Sequence, residues 1–160
     1  MPGGRGRRIL VEAPVFAAAY VGVVWVLPGI SFGAVNIRVA DALRGLIPRI
    51  GWGAVIGIAL GHFLANMISP VGILDMLSVL VGFAGHLMIY YLSRVRMWLG
   101  FIPHWLMLTS WLSWLIGGFT GTPFHIMFMI LAPQIFISDF ILPAMLMYGF
   151  EKVYPAVRGR

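Results

Sequence analysis

The chain predicts an all-α integral membrane bundle of six transmembrane helices, on three observations. It is 61% hydrophobic and only 10% charged, with a mean hydropathy of +0.96, whereas a soluble domain carries about 25% charged residues. Its apolar runs are long and continuous rather than alternating, which favours spans of about 20 helical residues over barrel strands. Its Lys and Arg residues sit mainly at the ends and between those runs, the pattern that orients spans in a bilayer. So few charges cannot cover a soluble globule of 160 residues. Residues 1–160 are read as one transmembrane domain, with a basic cytoplasmic N-terminus at 1–8 and a cytoplasmic tail at 153–160.

The net charge of +6 does not point to nucleic acid. No ribbon of basic residues interleaves with exposed aromatics as a single-strand binder requires. The same excess favours contact with anionic lipid. Cysteine is absent, so a disulfide framework, a thiol nucleophile and a thiolate metal site are excluded.

Arg5, Arg7 and Arg8 open the chain. The uncharged run after them, Ala13 to Ile37, is too long for a signal peptide and no small-x-small cleavage site follows. The arginines are expected to hold the N-terminus of span one, Ile9 to Leu27, in the cytoplasm. Glu12 can pair with them. Ala17, Ala18, Ala19 and Gly22 make a small face, with Ala18 and Gly22 four apart; it serves either internal packing or docking of another subunit. Pro28-Gly29 ends the span and Ser31-Phe32-Gly33 makes an outer loop.

Span two, about Ala34 to Ile47, is short and carries Asn36, Arg38 and Asp41. Arg38 and Asp41 are three apart and can pair on one face, either as an internal salt bridge or as a border of a ligand site. Arg44 and Arg49 read as cytoplasmic anchors around Pro48. Span three runs from Trp52 to about Ile68. Its Gly53, Gly57 and Gly61 form one smooth stripe for a neighbouring helix. His62 and Asn66, four apart, share a face and both donate and accept hydrogen bonds. They suit a planar heterocycle or a packing contact between helices. One histidine with an amide is a poor metal set, and no metal or cofactor is expected.

Span four runs from about Ile73 to Tyr91, with Asp75 at its outer start as a dipole partner or a ligand contact. Tyr90, Tyr91 and Trp98 read as an interfacial belt, and Arg94 and Arg96 as a cytoplasmic turn. From Met97 to Ser138 there is no formal charge, which is too long for one span and suits two. Span five is near Pro103 to Phe119, residues 117–123 are an outer break, and span six runs from Phe124 to near Phe150. Gln134, Asp139 and Pro143 interrupt span six. Asp139 is a functional candidate by its depth, and it can also pair with Arg38. This layout puts all basic residues except Arg38 on the inner side, with both termini cytoplasmic. Metalloprotease, serine-hydrolase and phosphate-loop signatures are all missing from the chain, so an enzyme is not expected. Uphill transport would need either an ion acting through Asp75 or Asp139, or a separate ATPase.

The block from Pro28 to Asp75 carries a family pattern. It has Gly33, Asn36, Arg38, Asp41, Ala42 and Leu43, then Gly57, Gly61, Ala65-Asn66, Ser69-Pro70, Gly72 and Asp75. In order and spacing this resembles the QueT-like family, presumed queuosine-precursor transporters and substrate-binding S components of energy-coupling factor (ECF) importers. Asp41 stands where the family usually has glutamate and Asn36 where glutamine is common. Ala132-Pro133-Gln134, with Asp139 beyond, replaces a Gly-Glu pair of the last helix. The resemblance implies a multi-pass plasma-membrane protein that captures a 7-deazaguanine, working with a transmembrane coupling subunit and two cytoplasmic ATPases. The ligand is expected in the outer half of the bundle beneath the Ser31–Gly33 and Ser69–Gly72 loops. Asn36, Arg38, His62, Asn66, Asp75 and Asp139 are the expected polar contacts, Trp25, Phe32 and Phe63 the stacking surfaces, and Ala18 and Gly22 the coupling-subunit contact. The other readings are an autonomous ion-coupled transporter, an S component for a different vitamin, and a structural membrane protein.

Overall fold

The computed structural model describes residues 4–32, 36–70, 72–96 and 98–154. The described residues are helical or loop, with no strand among them. The helices are α1 (Gly4–Val26), α2 (Pro28–Ser31), a 3-10 helix (Val39–Leu46), α3 (Ile47–Ile50), α4 (Trp52–Asn66), α5 (Ile73–Leu92), α6 (Phe101–Thr120), α7 (Phe124–Phe136), a π-turn (Ile137–Ile141) and α8 (Leu142–Val153).

Three helical stretches are long and apolar enough to cross a membrane: Gly6–Val26, Ile73–Leu92 and the continuous Phe124–Val153. α4 is apolar but only 15 residues long. α6 has the length, but His104, Thr109, Ser110, Ser113 and three tryptophans dilute its apolar character. The expected helix from Ala34 to Ile47 differs most. Residues 36–38 are non-helical, and the 3-10 helix begins only at Val39. Ala34 and Val35, like Gly33 of the expected loop, Val71 of the second loop, Met97 and the basic tail at 155–160, lie outside the described residues.

α1 and α4 form the tightest pair. Ala13, Ala17, Tyr20 and Val24 face inward along α1. A Cβ at Gly57 or Gly61 of α4 would collide with the Ala13 backbone and Phe16, or with Tyr20 and Ala17. The glycine stripe therefore lets the two backbones approach closely. Ala18 and Gly22 lie on the opposite, exposed face of α1, and nothing lies within 4 Å of a Cβ built on Gly22. One apolar cluster joins Tyr20 and Val24 to Ala54, Val55, Ile58, Ile89 and Phe101. A second lies between α6 and α7, from Leu108 to Met127, Leu131 and Ile135.

The last long helix changes pitch where the chain dictates. Pro143 has no N–H for the carbonyl of Asp139 and its ring would press on that carbonyl. The backbone widens into the π-turn, with the Leu142 N–H bonded to the Ile137 carbonyl. Gly45 of the 3-10 helix packs against the Pro143 carbonyl, where a Cβ would overlap the backbone. Gly51, at φ +87° between α3 and α4, makes the turn that an L side chain resists.

The distribution of polarity is inverted relative to a soluble protein. Asp41, Arg44, Asp75, His86, His104 and Asp139 are buried, while Leu10, Val15, Val26, Leu80, Met129 and Met145 are exposed. An apolar solvent around an internally paired polar interior accounts for this. Gly57→Leu is expected to lower stability by about 1–3 kcal/mol through overpacking, while Gly22→Leu leaves it unchanged. Thermal unfolding of the detergent-solubilised protein measures both; equal losses would refute a packing role specific to the glycine stripe.

Candidate functional site

Two adjoining cavities lie between the non-helical segment at 36–38 and helices α4 to α7. The inner one, about 20 Å³, is lined by Asn36, Arg38, Asp41, His62, Asp75, Ser78 and Ser138, with Leu108, Leu112 and Ile135 as its apolar wall. The outer one, about 180 Å³, is lined by Phe32, Asn36, Arg38, Ser69, Pro70 and Asp75, with Leu112, Leu115 and Ile116. Asn36, Arg38 and Asp75 belong to both. The inner space has room for a water or a small substituent; the outer is the vestibule.

The segment at 36–38 has no neighbouring strand, so its donors find other partners: the Ile37 N–H donates to the Ile30 carbonyl at 3.2 Å, and the other two go to side chains. The Asn36 N–H donates to Gln134 Oε1 at 2.6 Å and the Arg38 N–H to Ser138 Oγ at 3.0 Å. These bonds tether the cavity wall to α7 and the π-turn. The Arg38 guanidinium lies 5.0 Å from the centroid of Phe32, a cation–π contact, and within the field of Asp41 and Asp75. On α5, Asp75, Ser78, Gly82 and His86 fall on one buried stripe. Asn66 Nδ2 donates to the Asp75 main-chain oxygen at 2.9 Å, fixing the start of that stripe. Trp111 Nε1 donates to Ser78 Oγ at 2.7 Å across to α6.

Behind the cavity lies a buried ionic network. Tyr20 donates to Asp41 Oδ1 at 2.6 Å, and Arg44 Nη2 reaches the same oxygen at 2.9 Å. Arg44 also pairs with Asp139 Oδ1 and donates from Nε to His86 Nε2 at 3.1 Å. His86 thus presents an acceptor nitrogen, which requires the neutral ring with its proton on Nδ1. His104 Nε2 stands 3.4 Å from Asp139 Oδ2. Both Arg44 and Asp139 are 0% exposed. Gly85 makes room for the His104 ring, which a Cβ there would strike.

The geometry sorts the expected residues. Asn36, Arg38, His62 and Asp75 converge on the cavities, with Phe32 at the outer one. Asn66 is buried behind Asp75 and lines neither cavity; its Nδ2 is taken by the Asp75 main-chain oxygen. Asp139 also lines neither; it turns into the arginine pair. Trp25 and Phe63 are 53% and 44% exposed and line neither cavity. Each follows the buried residue of its helix, Val24 or His62, by a single step of about 100°, which rotates it outward. The expected Arg38–Asp41 and Arg38–Asp139 pairs are both replaced by Arg44, and Arg44 is an interior cation rather than a cytoplasmic anchor. The 3-10 winding of residues 39–46 turns Arg44 inward with Ala40 and Asp41.

Several contributors went unrecognised in the sequence. Ser78, three residues after Asp75, carried a readable signal in its i,i+3 spacing. Ser138, next to Asp139, carried a weaker one. Tyr20, Gln134, His86 and His104 find their partners only through tertiary contacts.

A helical molecule with an apolar exterior, membrane-length helices and an enclosed polar site belongs to the class of integral membrane proteins. Within that class the assignment is specific. The chain belongs to the QueT transporter family, whose model matches residues 10–152, nearly its whole length. No curated protein and no solved structure matches it.

Arg44→Leu is expected to destabilise the protein by about 3–5 kcal/mol, because it leaves Asp41 and Asp139 buried without their cation, and Asp139→Leu by less, because Asp41 still pairs with Arg44. The double substitution should recover part of that loss. Chemical denaturation in detergent checks the cycle; additive losses would show that the two side chains are not coupled.

Proposed function

We propose that this chain is the substrate-binding S component of an ECF-type importer, a six-span plasma-membrane protein with cytoplasmic termini that captures a queuosine precursor or related 7-deazaguanine from the outer side. The observation that carries the reading is the joining of Asn36, Arg38 and Asp75 in both cavities, in a chain of the QueT transporter family. A fused bicyclic base needs a flat apolar wall and a few convergent polar groups. Leu112, Leu115 and Ile116 supply the wall. A carboxylate accepts from the N1 and 2-amino edge of a guanine-like ring by a charge-assisted pair, and Asp75 is placed for it. His62 and Asn36 complete the ring edges. The Arg38 plane, already over Phe32, can stack on the base.

ATP hydrolysis would come from two cytoplasmic ATPases acting through a transmembrane coupling subunit. The exposed face of α1 around Ala18 and Gly22 supports a role as the coupling contact, since internal packing uses the opposite face. The pairing of Asp139 with Arg44 weighs against the ion-coupled alternative, because a carboxylate committed to a buried arginine is a poor carrier of a translocated ion.

Calorimetry of the purified chain against deazaguanines, guanine, biotin and thiamine tests the ligand. Asp75→Ala is expected to weaken deazaguanine binding by about 5- to 150-fold, the loss of one buried polar contact of about 1–3 kcal/mol, while Trp25→Ala and Phe63→Ala leave it unchanged. Unaltered binding by Asp75→Ala would refute the pocket. Tight binding of another vitamin alone would move the substrate and keep the transport role. In proteoliposomes with the partner subunits, Ala18→Leu with Gly22→Leu should block ATP-dependent uptake and spare binding; accumulation driven by an ion gradient with this chain alone would establish the rival.

A further inference from the structure

A further, larger cavity of about 540 Å³ lies at the end of the bundle where α1 begins and α5 ends. Arg8, Arg49 and Arg94 line it, from the start of α1, from α3 and from the turn after α5, together with Glu12, Trp52 and Tyr90. Two of the guanidiniums are partly satisfied. Arg8 Nε donates to Glu12 at 2.5 Å, and Arg49 donates through Nε and Nη2 to Glu151 of α8. Each keeps further N–H groups, since a guanidinium carries five. Arg94 has no ion pair among the described residues. It lies over two rings, 4.6 Å from the centroid of Tyr90 and 5.3 Å from that of Tyr91. Tyr90 in turn packs on Trp52 at 5.5 Å. The rings position the Arg94 guanidinium without neutralising it.

The wall thus combines an unneutralised cation, further guanidinium donors and an aromatic floor. That chemistry suits a phosphate oxyanion bearing an apolar tail. Guanidinium groups bind phosphate through directed N–H pairs, and Trp and Tyr favour the headgroup level of a bilayer. The cavity sits where the basic residues gather, the side that an anionic leaflet attracts. We propose that this cavity is a headgroup site for an anionic phospholipid, with Arg94 as its principal contact and Trp52 and Tyr90 packing on the lipid. The site lies at the opposite end of the bundle from the loops over the ligand cavities, and it does not depend on what those cavities bind.

The test uses the full chain purified in detergent, titrated with phosphatidylglycerol or phosphatidylcholine and read by native mass spectrometry. Phosphatidylglycerol should bind more tightly. Arg94→Gln should weaken that binding by about fivefold, the effect of one basic residue near a lipid surface. Arg96→Gln, which removes the same charge from an exposed neighbour that does not line the cavity, should change it less than twofold. Equal losses in the two variants would overturn the proposal in favour of diffuse attraction. So would equal affinity for the two lipids. Displacement of phosphatidylglycerol by millimolar inorganic phosphate, lost in Arg94→Gln, would make this a soluble-phosphate site and overturn the lipid assignment. Arg94 is exposed, and an unfolding midpoint equal to that of the wild type confirms that the comparison is between folded proteins.

Discussion

Burial of Arg44 between Asp41 and Asp139 is the constraint on which the interior depends. Removing a guanidinium and two carboxylates from water is costly, and the cost is offset only when every charge meets a partner with good geometry. Meeting that demand fixes five elements at once. The 3-10 helix supplies Arg44 and Asp41, and the π-turn supplies Asp139. α1 contributes Tyr20 to Asp41, α5 contributes His86 to Arg44, and α6 brings His104 to Asp139. Each helix could slide on its neighbour if only apolar packing held it, because lipid tails are as apolar as the helix surfaces. The ionic network sets their register.

The two departures from α-geometry serve that network. A regular helix over residues 39–46 would distribute Asp41 and Arg44 differently around its axis; the 3-10 winding, with three residues per turn, brings them one above the other. The π-turn rotates Asp139 toward them, and Pro143 is its local cause. Gly45 then lets the two irregular segments touch at the Pro143 carbonyl. Asp41 links this scaffold to the cavities, since it lines the inner one while holding Tyr20 and Arg44. Cavity wall and scaffold therefore share one carboxylate.

Much of this was legible in the sequence, and what was not has identifiable causes. The all-helical class followed from continuous apolar runs. The glycine stripe at Gly53, Gly57 and Gly61 named its own packing face. Asp75 and His62 stood out because an isolated polar residue in an apolar helix must be paired or functional. Helix periodicity failed at residues 36–46, where the backbone is extended and then 3-10, so the rule that puts residues three and four apart on one face assigned Asp41 to Arg38. Arg44 looked like a loop anchor because Pro48 and Arg49 follow it closely; only tertiary structure shows three acceptors converging on it. Trp25 and Phe63, expected as stacking surfaces, each stand one residue after a buried position, Val24 or His62, and line neither cavity. Adjacent positions on a helix point about 100° apart, so an aromatic that follows a buried residue faces outward, and the residue type alone does not show which way it points.

The charge balance of the interior bears on what the ligand cavities accept. Arg38 and Arg44 face three buried carboxylates, Asp41, Asp75 and Asp139, and with neutral histidines one negative charge remains in excess. Arg44 is spent on Asp41 and Asp139. The excess therefore falls on the Arg44 group, whose Asp41 also lines the inner cavity, while on the cavity side Asp75 is matched by Arg38, itself engaged with the face of Phe32. A ligand that presents donors or a cation to the carboxylates of the cavity wall, Asp41 and Asp75, offsets that excess, while an anionic ligand adds to it. A guanine-like edge, or an aminomethyl cation, meets that requirement. A carboxylate-bearing vitamin would bring a further negative charge to a wall that already carries Asp41 and Asp75, which supports the proposed donor-rich ring over an acid of similar size.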